Sequence, residues 1–233
     1  MKGDKRQRRR PSTQVIMAAL NEEEGIGLTI ADFQSYLGYP PILVVDGKST
    51  DRTVEVAASL GAHIISQDGF GKGDAMAKAL RVLALTAEYV VITDADYTYP
   101  AEYVPEMIRI LKGNPDVGMV CGDRFNAPLN PKILRNVFYL GNRFVSLTHN
   151  LLNGVELNDP LTGLRVVRAE ILRDWNVKSK GFDFEVELNH QVERKGFGIV
   201  EVPIHYRDRL GQKKLRVRDG ATILKRIILE TIH

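Results

Sequence analysis

The chain has 233 residues, 44% of them apolar and 26% charged, which is ordinary for a soluble globular protein and ample for a substantial core. Its net charge of +3 provides no global field for nucleic acid, and its one cysteine, Cys121, excludes an intrachain disulfide and fits a reducing compartment. No uninterrupted apolar stretch approaches the roughly 18 residues of a membrane span, and the basic opening lacks the apolar core of a secretory signal.

That opening, residues 1–12, carries Lys2, Lys5, Arg6, Arg8, Arg9 and Arg10. It reads either as a disordered, solvated tail or as a cluster attracted to anionic lipid head groups, at roughly 1 kcal/mol per cation near the surface. No interleaved aromatics accompany it, so no nucleic-acid partner is expected. Val15 to Leu20 is an apolar strand running into Asn21-Glu22-Glu23-Glu24-Gly25. Ile26 to Leu37 follows as a helix, stopped by Gly38 and Pro40-Pro41. Ile42 to Val45 is a second buried strand, ending in Asp46-Gly47-Lys48-Ser49-Thr50. Ser49 or Thr50 is positioned to cap the next helix, whose apolar positions are Val54, Ala57 and Ala58. His63 to Gln67 is the third strand, and Met76, Leu80, Leu83 and Ala84 mark a helix after Gly71-Lys72-Gly73-Asp74.

The fourth strand, Tyr89 to Thr93, is β-branched and apolar, and it delivers Asp94-Ala95-Asp96 at its carboxyl end. Alternating strands and helices at this spacing predict a doubly wound, Rossmann-like, mostly parallel sheet. Ligands bind such sheets at the carboxyl ends of the strands. Two carboxylates one residue apart there can hold a hard divalent cation and, through it, a diphosphate. A solvated turn accounts for the same spacing, since Asp is common where strands stop. Gly71-Lys72-Gly73 resembles a phosphate-cradling turn but lacks the spacing of a P-loop.

Taken together, Ala18-Ala19-Leu20-Asn21-Glu22-Glu23, Val44-Val45-Asp46-Gly47-Lys48-Ser49, Gly71-Lys72-Gly73-Asp74-Ala75 and Asp94-Ala95-Asp96 resemble family 2 glycosyltransferases. Within that family the chain is most similar to polyprenyl-phosphate (dolichyl-phosphate) sugar synthases, from about Val15 to Leu215. The resemblance implies a GT-A fold over 13–215 and a nucleotide-diphosphate hexose as donor, with either UDP or GDP as the nucleotide. By position it makes Asn21, Glu22, Asp46, Lys72, Asp74, Asp94 and Ala95 donor-binding, with Glu22 and Asp46 at the base and ribose. Asp96 becomes the principal ligand of Mg²⁺ or Mn²⁺, with Asp94 near ribose or metal. Some of these synthases carry a Gln ligand where this chain has Thr98.

The second half supplies cations. Tyr103, Met107, Ile108 and Leu111 form a helix face, and a strand from Val117 leads to Asp123-Arg124. Arg124 matches the family's arginine beside the substrate phosphates; a surface ion pair with Asp123 is its bland alternative. Ile133 to Leu152 is a helix with a wide apolar arc and a narrow polar stripe, either buried or lying at a membrane interface. The resemblance assigns Arg135, at its start, to the acceptor's lipid phosphate. Asp159 falls in Asp-Pro-Leu-Thr-Gly-Leu-Arg, similar to a family motif bordering the donor sugar. Glu185 and Glu187 cannot share a helix face, so at most one reaches the site. A strand from Val202 delivers Arg209, and the turn at Gly211 brings Lys214 close behind. These two match the segment that closes over the donor diphosphate, although a basic edge strand that resists aggregation accounts for the same residues. His205 reads as a packed or surface histidine. Residues 216–233 are expected to form an amphipathic helix around Ile227 and Ile228, with Lys225 and Arg226, whose apolar side is a candidate membrane contact.

The implied activity is inverting hexose transfer to a polyprenyl phosphate by a peripheral protein on the cytoplasmic face of a membrane, with Asp96, Arg124 and Asp159 at the chemistry. A lipid phosphate is already anionic and needs cations rather than a base. A family 2 enzyme with a sugar-hydroxyl acceptor would need a carboxylate base such as Asp159. A nucleotide-sugar-binding protein without catalysis fits the crevice but not the second cationic cluster.

Overall fold

The computed structural model describes residues 13–82, 87–125, 148, 150, 156–212, 214 and 219–231. Seven strands form one sheet in the order β3-β2-β1-β4-β6-β5-β7. They are β1 (Thr13–Ala19), β2 (Ile42–Asp46), β3 (His63–Ser66), β4 (Tyr89–Asp94), β5 (Val117–Asp123), β6 (Arg165–Arg168) and β7 (Gly198–Pro203). Only β6 runs antiparallel to its neighbours β4 and β5. The expected doubly wound, mostly parallel sheet is therefore present. Chain order reverses at β1, which pairs with β2 on one side and β4 on the other. Register then aligns the loops: Ala18 sits opposite Asp94, and Ala19 opposite Asp46. The crevice of an open α/β sheet lies at such a switch point.

Helices cover both faces. Helix α1 (Ile26–Leu37) buries Ile26, Thr29, Ile30 and Phe33, the i, i+3, i+4, i+7 pattern of one face. Complete burial of Ile30 and Phe33 stabilises the fold by about 1.5–3 kcal/mol each. Gly38 ends the helix in the left-handed conformation at φ 66°, its N–H donating to the Gln34 carbonyl. Helix α4 (Val104–Gly113) packs on the same side through Val104, Met107 and Leu111. The other face carries α3 (Lys72–Val82), the short α5 (Ala169–Leu172) and α6 (Phe184–Arg194).

Helix α2 (Thr53–Ser59) departs from expectation. Its inward face is Thr53, Val56 and Ala57, while Val54 is exposed. Neither Ser49 nor Thr50 caps it; Asp51 Oδ1 accepts the Thr53 N–H at 2.9 Å. Ser49 and Thr50 are instead bound to the β1–α1 loop. Asn21 donates its N–H to the Ser49 hydroxyl at 2.9 Å, and its side-chain oxygen accepts the Thr50 N–H at 2.8 Å.

Two further corrections concern the C-terminal third. The strand expected to deliver Arg209 ends at Pro203. Beyond it the backbone leaves the ladder, and its amides bond loops instead. Arg207 N–H donates to the Thr98 carbonyl at 3.0 Å and Leu210 N–H to the Asp96 carbonyl at 3.3 Å. Helix α7 (Asp219–Thr231) packs on α6, burying Ile223 and Ile227 against Val186. Ile227, expected to face a membrane, is thus unavailable, whereas Ile228 and Leu229 are exposed. Ion pairs hold this contact: Arg226 to Asp183 at 3.0 Å and Arg194 to Glu230 at 2.5 Å. No helix among the described residues is long and apolar enough to cross a membrane. The basic opening and Arg135 lie outside the described residues, as does nearly all of 133–152; there Thr148 and Asn150 are described, and the Asn150 amide bonds both the N–H and the carbonyl of Leu157.

Candidate active site

A cavity of about 710 Å³ opens at the switch point, the size of a small-molecule site. Its walls include Asn21, Glu22, Lys72, Asp94, Ala95, Asp96, Arg124, Arg209 and Lys214, so most of the residues singled out from sequence converge there. Asp46, Asp74 and Asp159 stand behind its surface. Asp46 accepts the backbone N–H groups of Lys48 (3.0 Å) and Ser49 (3.2 Å), shaping the β2–α2 turn. Asp74 accepts the Gly69 N–H at 2.8 Å.

Asp96 is buried, and Thr98 orients it: both the Thr98 N–H (3.2 Å) and hydroxyl (2.5 Å) donate to Oδ1. Its other oxygen, Oδ2, pairs with Arg209, which also pairs with Glu22. Lys214 lies 3.0 Å from Glu22 and donates to the Asn21 carbonyl at 2.7 Å. Burial pushes the Asp96 carboxyl above its ordinary value, and the nearby Asp94 charge adds to this. Glu22 is likewise raised, chiefly by burial, against the pull of Lys214 and Arg209. Its Oε2 is buried with no hydrogen-bond partner. Glycine is required where α1 meets this loop, since a Cβ at Gly25 would come within 2.9 Å of the Asp96 backbone.

Lys72 does not sit as a phosphate-cradling turn would place it. Its ammonium donates to Asp94 Oδ1 at 2.6 Å and lies 2.5 Å from Glu185 Oε1. Burial alone would lower the lysine's pKa; the two carboxylates reverse that and hold it above the ordinary range. Burial would likewise raise Asp94, but Lys72 outweighs it and holds the carboxyl below its ordinary value. The amides of Gly73 and Asp74 are occupied as well, donating to the carbonyls of Gly181 (3.1 Å) and Lys180 (3.3 Å). That turn docks α3 onto the segment before α6. It does not leave those two N–H groups free for an anion.

Arg124 makes a different pair from the one its sequence neighbour suggested. Its Nε and Nη2 donate to Asp159 at 2.5 and 2.7 Å, a bidentate contact, and Asp159 is fully buried. Burial opposes the guanidinium charge, yet Asp159 raises its pKa well above the ordinary value. Glu201 anchors the loop from beneath by accepting the N–H groups of Asn158 and Asp159, both at 2.7 Å. The Arg124 guanidinium also stacks 5.4 Å from the Tyr206 ring, which meets Tyr99 edge-on at 5.1 Å. Arg165, in the same motif as Asp159, is completely buried and serves the core by bonding Thr162, Pro160 and Asn189.

Sequence reasoning left Tyr99, Gly163, Tyr206 and the Lys72–Glu185 contact unassigned. A Cβ on Gly163 would fall 2.5 Å from Asp94 Oδ2 and 2.8 Å from the Tyr99 ring, so a side chain there would have to displace one or both. Of the two acids in the first turn of α6, Glu185 reaches the cavity wall. Glu187 turns away to the backbone amides of Lys178 (2.8 Å) and Ser179 (2.6 Å). This matches the rule that i and i+2 point apart on a helix.

The donor set suits a hard divalent cation. No group of three or more His, Cys, Asp or Glu among the described residues could hold a metal unaided. Mg²⁺ and its like instead take one or two carboxylates and complete their shell with phosphate oxygens and water. Asp94 and Asp96 provide such a pair, and each already carries a cationic side chain, Lys72 and Arg209.

Fold and crevice together define a GT-A glycosyltransferase domain, and the comparisons agree. Residues 14–175 match Glycosyl transferase family 2. A dolichyl-phosphate hexose transferase of Haloferax volcanii is 37% identical over 220 residues, spanning 92% of this chain and 91% of that protein. An undecaprenyl-phosphate mannosyltransferase of Micrococcus luteus is 30% identical over 219 residues, covering 86% of each. Among solved structures, glucosyl-3-phosphoglycerate synthase of Mycobacterium tuberculosis with Mn²⁺, UDP-glucose and phosphoglyceric acid superimposes with a TM-score of 0.72. It shares 20% identity and aligns over 95% of this chain and 79% of its own. This chain belongs to glycosyltransferase family 2.

Proposed function

We propose that the protein transfers a hexose from a UDP- or GDP-linked donor to a polyprenyl (dolichyl) phosphate, acting peripherally at the cytoplasmic surface of a membrane. The observation that carries this reading is that cationic side chains line the cavity while the candidate base is already engaged. Beside Lys72, which Asp94 and Glu185 hold, Arg124, Arg209 and Lys214 bring three more cations to the wall, and the candidate base Asp159 is buried in a bidentate pair. An acceptor that is itself a phosphate requires cations and no base. The relatives named for dolichyl- and undecaprenyl-phosphate chemistry support the same acceptor class.

In this reading Glu22 and Asn21 border the nucleoside, with Asp46 and Asp74 shaping the loops behind them. Asp94 and Asp96 would hold Mg²⁺ or Mn²⁺, which when bound supplies Lewis-acid charge to the leaving diphosphate. Arg209 and Lys214 exchange their carboxylate partners for the donor's phosphate oxygens and neutralise charge that builds there. Arg124, with Arg135 on the following segment, orients the acceptor phosphate. A phosphate oxygen forms the new bond to the anomeric carbon as the bond to the nucleoside diphosphate breaks on the opposite face, inverting the centre. Exposed Ile228 and Leu229, with the basic opening, are candidates for surface attachment.

The test is turnover of UDP- and GDP-hexoses with Mn²⁺ against three acceptors: a polyprenyl phosphate, a soluble oligosaccharide and phosphoglyceric acid. Product on the polyprenyl phosphate alone is expected. Preferential transfer to either soluble acceptor would overturn the assignment, and absence of transfer to all three would favour a binding protein.

A further inference from the structure

We propose that Glu185 is a positioning residue of the donor site: through Lys72 it sets where the Asp94 carboxylate sits and how much of its charge is left for a ligand. This rests on the donor-site reading above. The three groups form a line, with Lys72 2.6 Å from Asp94 and 2.5 Å from Glu185. Lys72 and Glu185 are nearly inaccessible, at 8% and 6% side-chain exposure, whereas Asp94 retains 31%. The open end of the line is thus the cavity end. An ammonium carries three donors and a single charge. Shared between two carboxylates, it leaves one negative charge over. Without Glu185, Lys72 would belong to Asp94 alone, and the pair would present a neutral surface to an incoming cation.

The surrounding architecture holds Glu185 in place. Helix α6 begins at Phe184, and the segment before it is clamped twice. Glu187 receives the Lys178 and Ser179 amides, while the Lys180 and Gly181 carbonyls receive the amides at the start of α3. A Cβ at Gly73 would lie 2.5 Å from the Ser179 carbonyl oxygen, so the two elements meet with no space between them. On its far side Asp94 is boxed in by Gly163. The backbone that carries Glu185 therefore cannot shift without moving α6 relative to α3.

Glu185 also lines the cavity, so direct contact with the donor is the competing explanation, and a double-mutant cycle separates the two. Binding of UDP–Mn²⁺ and of GDP–Mn²⁺ is measured by calorimetry for wild type, Glu185→Gln, Glu185→Asp, Lys72→Met and Lys72→Met/Glu185→Gln. Thermal melts confirm that each variant folds. Glu185→Gln should weaken binding of the preferred nucleotide about tenfold, the low end of what losing a charge-assisted hydrogen bond costs. Glu185→Asp should recover part of the loss. In the Lys72→Met background, Glu185→Gln should have no further effect. If Glu185→Gln does not fold, Glu185→Asp takes its place in the cycle, with a loss expected only when Lys72 is present. Unchanged binding by the single variant, or an equal loss with and without Lys72, overturns the proposal. Failure of the wild-type chain to bind either nucleotide defeats the donor-site reading itself, which is a separate result.

Discussion

Asp159→Asn distinguishes a structural carboxylate from a catalytic base. Asp159 is fully buried, and its two oxygens accept three bonds from Arg124: Nε at 2.5 Å, Nη2 at 2.7 Å and the backbone N–H at 3.2 Å. The Arg124 side chain is only 15% exposed, so water compensates poorly for the lost partner. Removing one member of a buried ion pair costs about 3–5 kcal/mol, because the other is left charged and uncompensated. In a domain of this size each kcal/mol lowers Tm by about 2–4 °C. The expected drop is therefore roughly 6–20 °C, read by thermal melting and by urea denaturation at constant slope. Arg124→Met/Asp159→Asn should cost less than the sum of its single variants, because it buries no lone charge. A base would behave in the opposite way, with turnover abolished and stability intact. Asp159→Asn melting within about 1 °C of wild type while losing transfer would refute the pairing argument and restore the hydroxyl-acceptor alternative.

Asp96→Ala should abolish Mn²⁺-dependent nucleotide binding in calorimetry while leaving metal-free binding, since Arg209 keeps Glu22 as a partner; equal affinity with and without chelator in both proteins would reject the metal assignment. Arg135→Ala should raise the Michaelis constant for polyprenyl phosphate about ten- to a hundredfold, the worth of a charge-assisted hydrogen bond, and spare the donor; unchanged acceptor dependence would reject it. His190, packed near Glu193, Glu230 and Arg194, has its pKa lowered below the ordinary 6.5 by burial, with Arg194 adding and Glu230 opposing. The unfolded chain then binds this proton more readily, so stability should fall as pH drops below about 6.5 toward the lower folded value, by at most about 1.4 kcal/mol per pH unit; His190→Gln should flatten that slope, and an identical slope in the variant would exclude the histidine. Vesicle flotation should show binding to anionic membranes that weakens but persists at high salt and drops when residues 2–10 are removed; no binding at low salt would count against surface attachment.

Local chemistry is what made most of the fold readable. Strands such as Val15–Ala19 and Tyr89–Thr93 are buried on both faces, so they are continuous apolar runs that need no partner to be recognised. Ile26–Leu37 carries its own period and its own glycine stop, and its boundaries agree with the structure to the residue. Polar residues at strand ends marked the crevice for the same reason, since a parallel sheet leaves only those ends open to a ligand. The converging loops at Asn21 and Asp94 were legible on that ground.

Pairing between distant side chains was not legible. Arg124 has an acid beside it in sequence, yet it binds Asp159, 35 positions away. Sequence spacing offered Lys72 to a phosphate, while the fold gives it Asp94 and Glu185, and gives the amides behind it to Lys180 and Gly181. The alternating pattern after Val202 suggested a longer strand, but beyond Pro203 the backbone finds partners at Thr98 and Asp96. Residue type and spacing placed most of the strands and helices and the neighbourhood of the site, and the resemblance of the motifs pointed to the family. Which charge neutralises which was decided only when the chain closed, because a buried ion must take the opposite charge that packing brings within hydrogen-bond reach, however far apart the two lie in sequence.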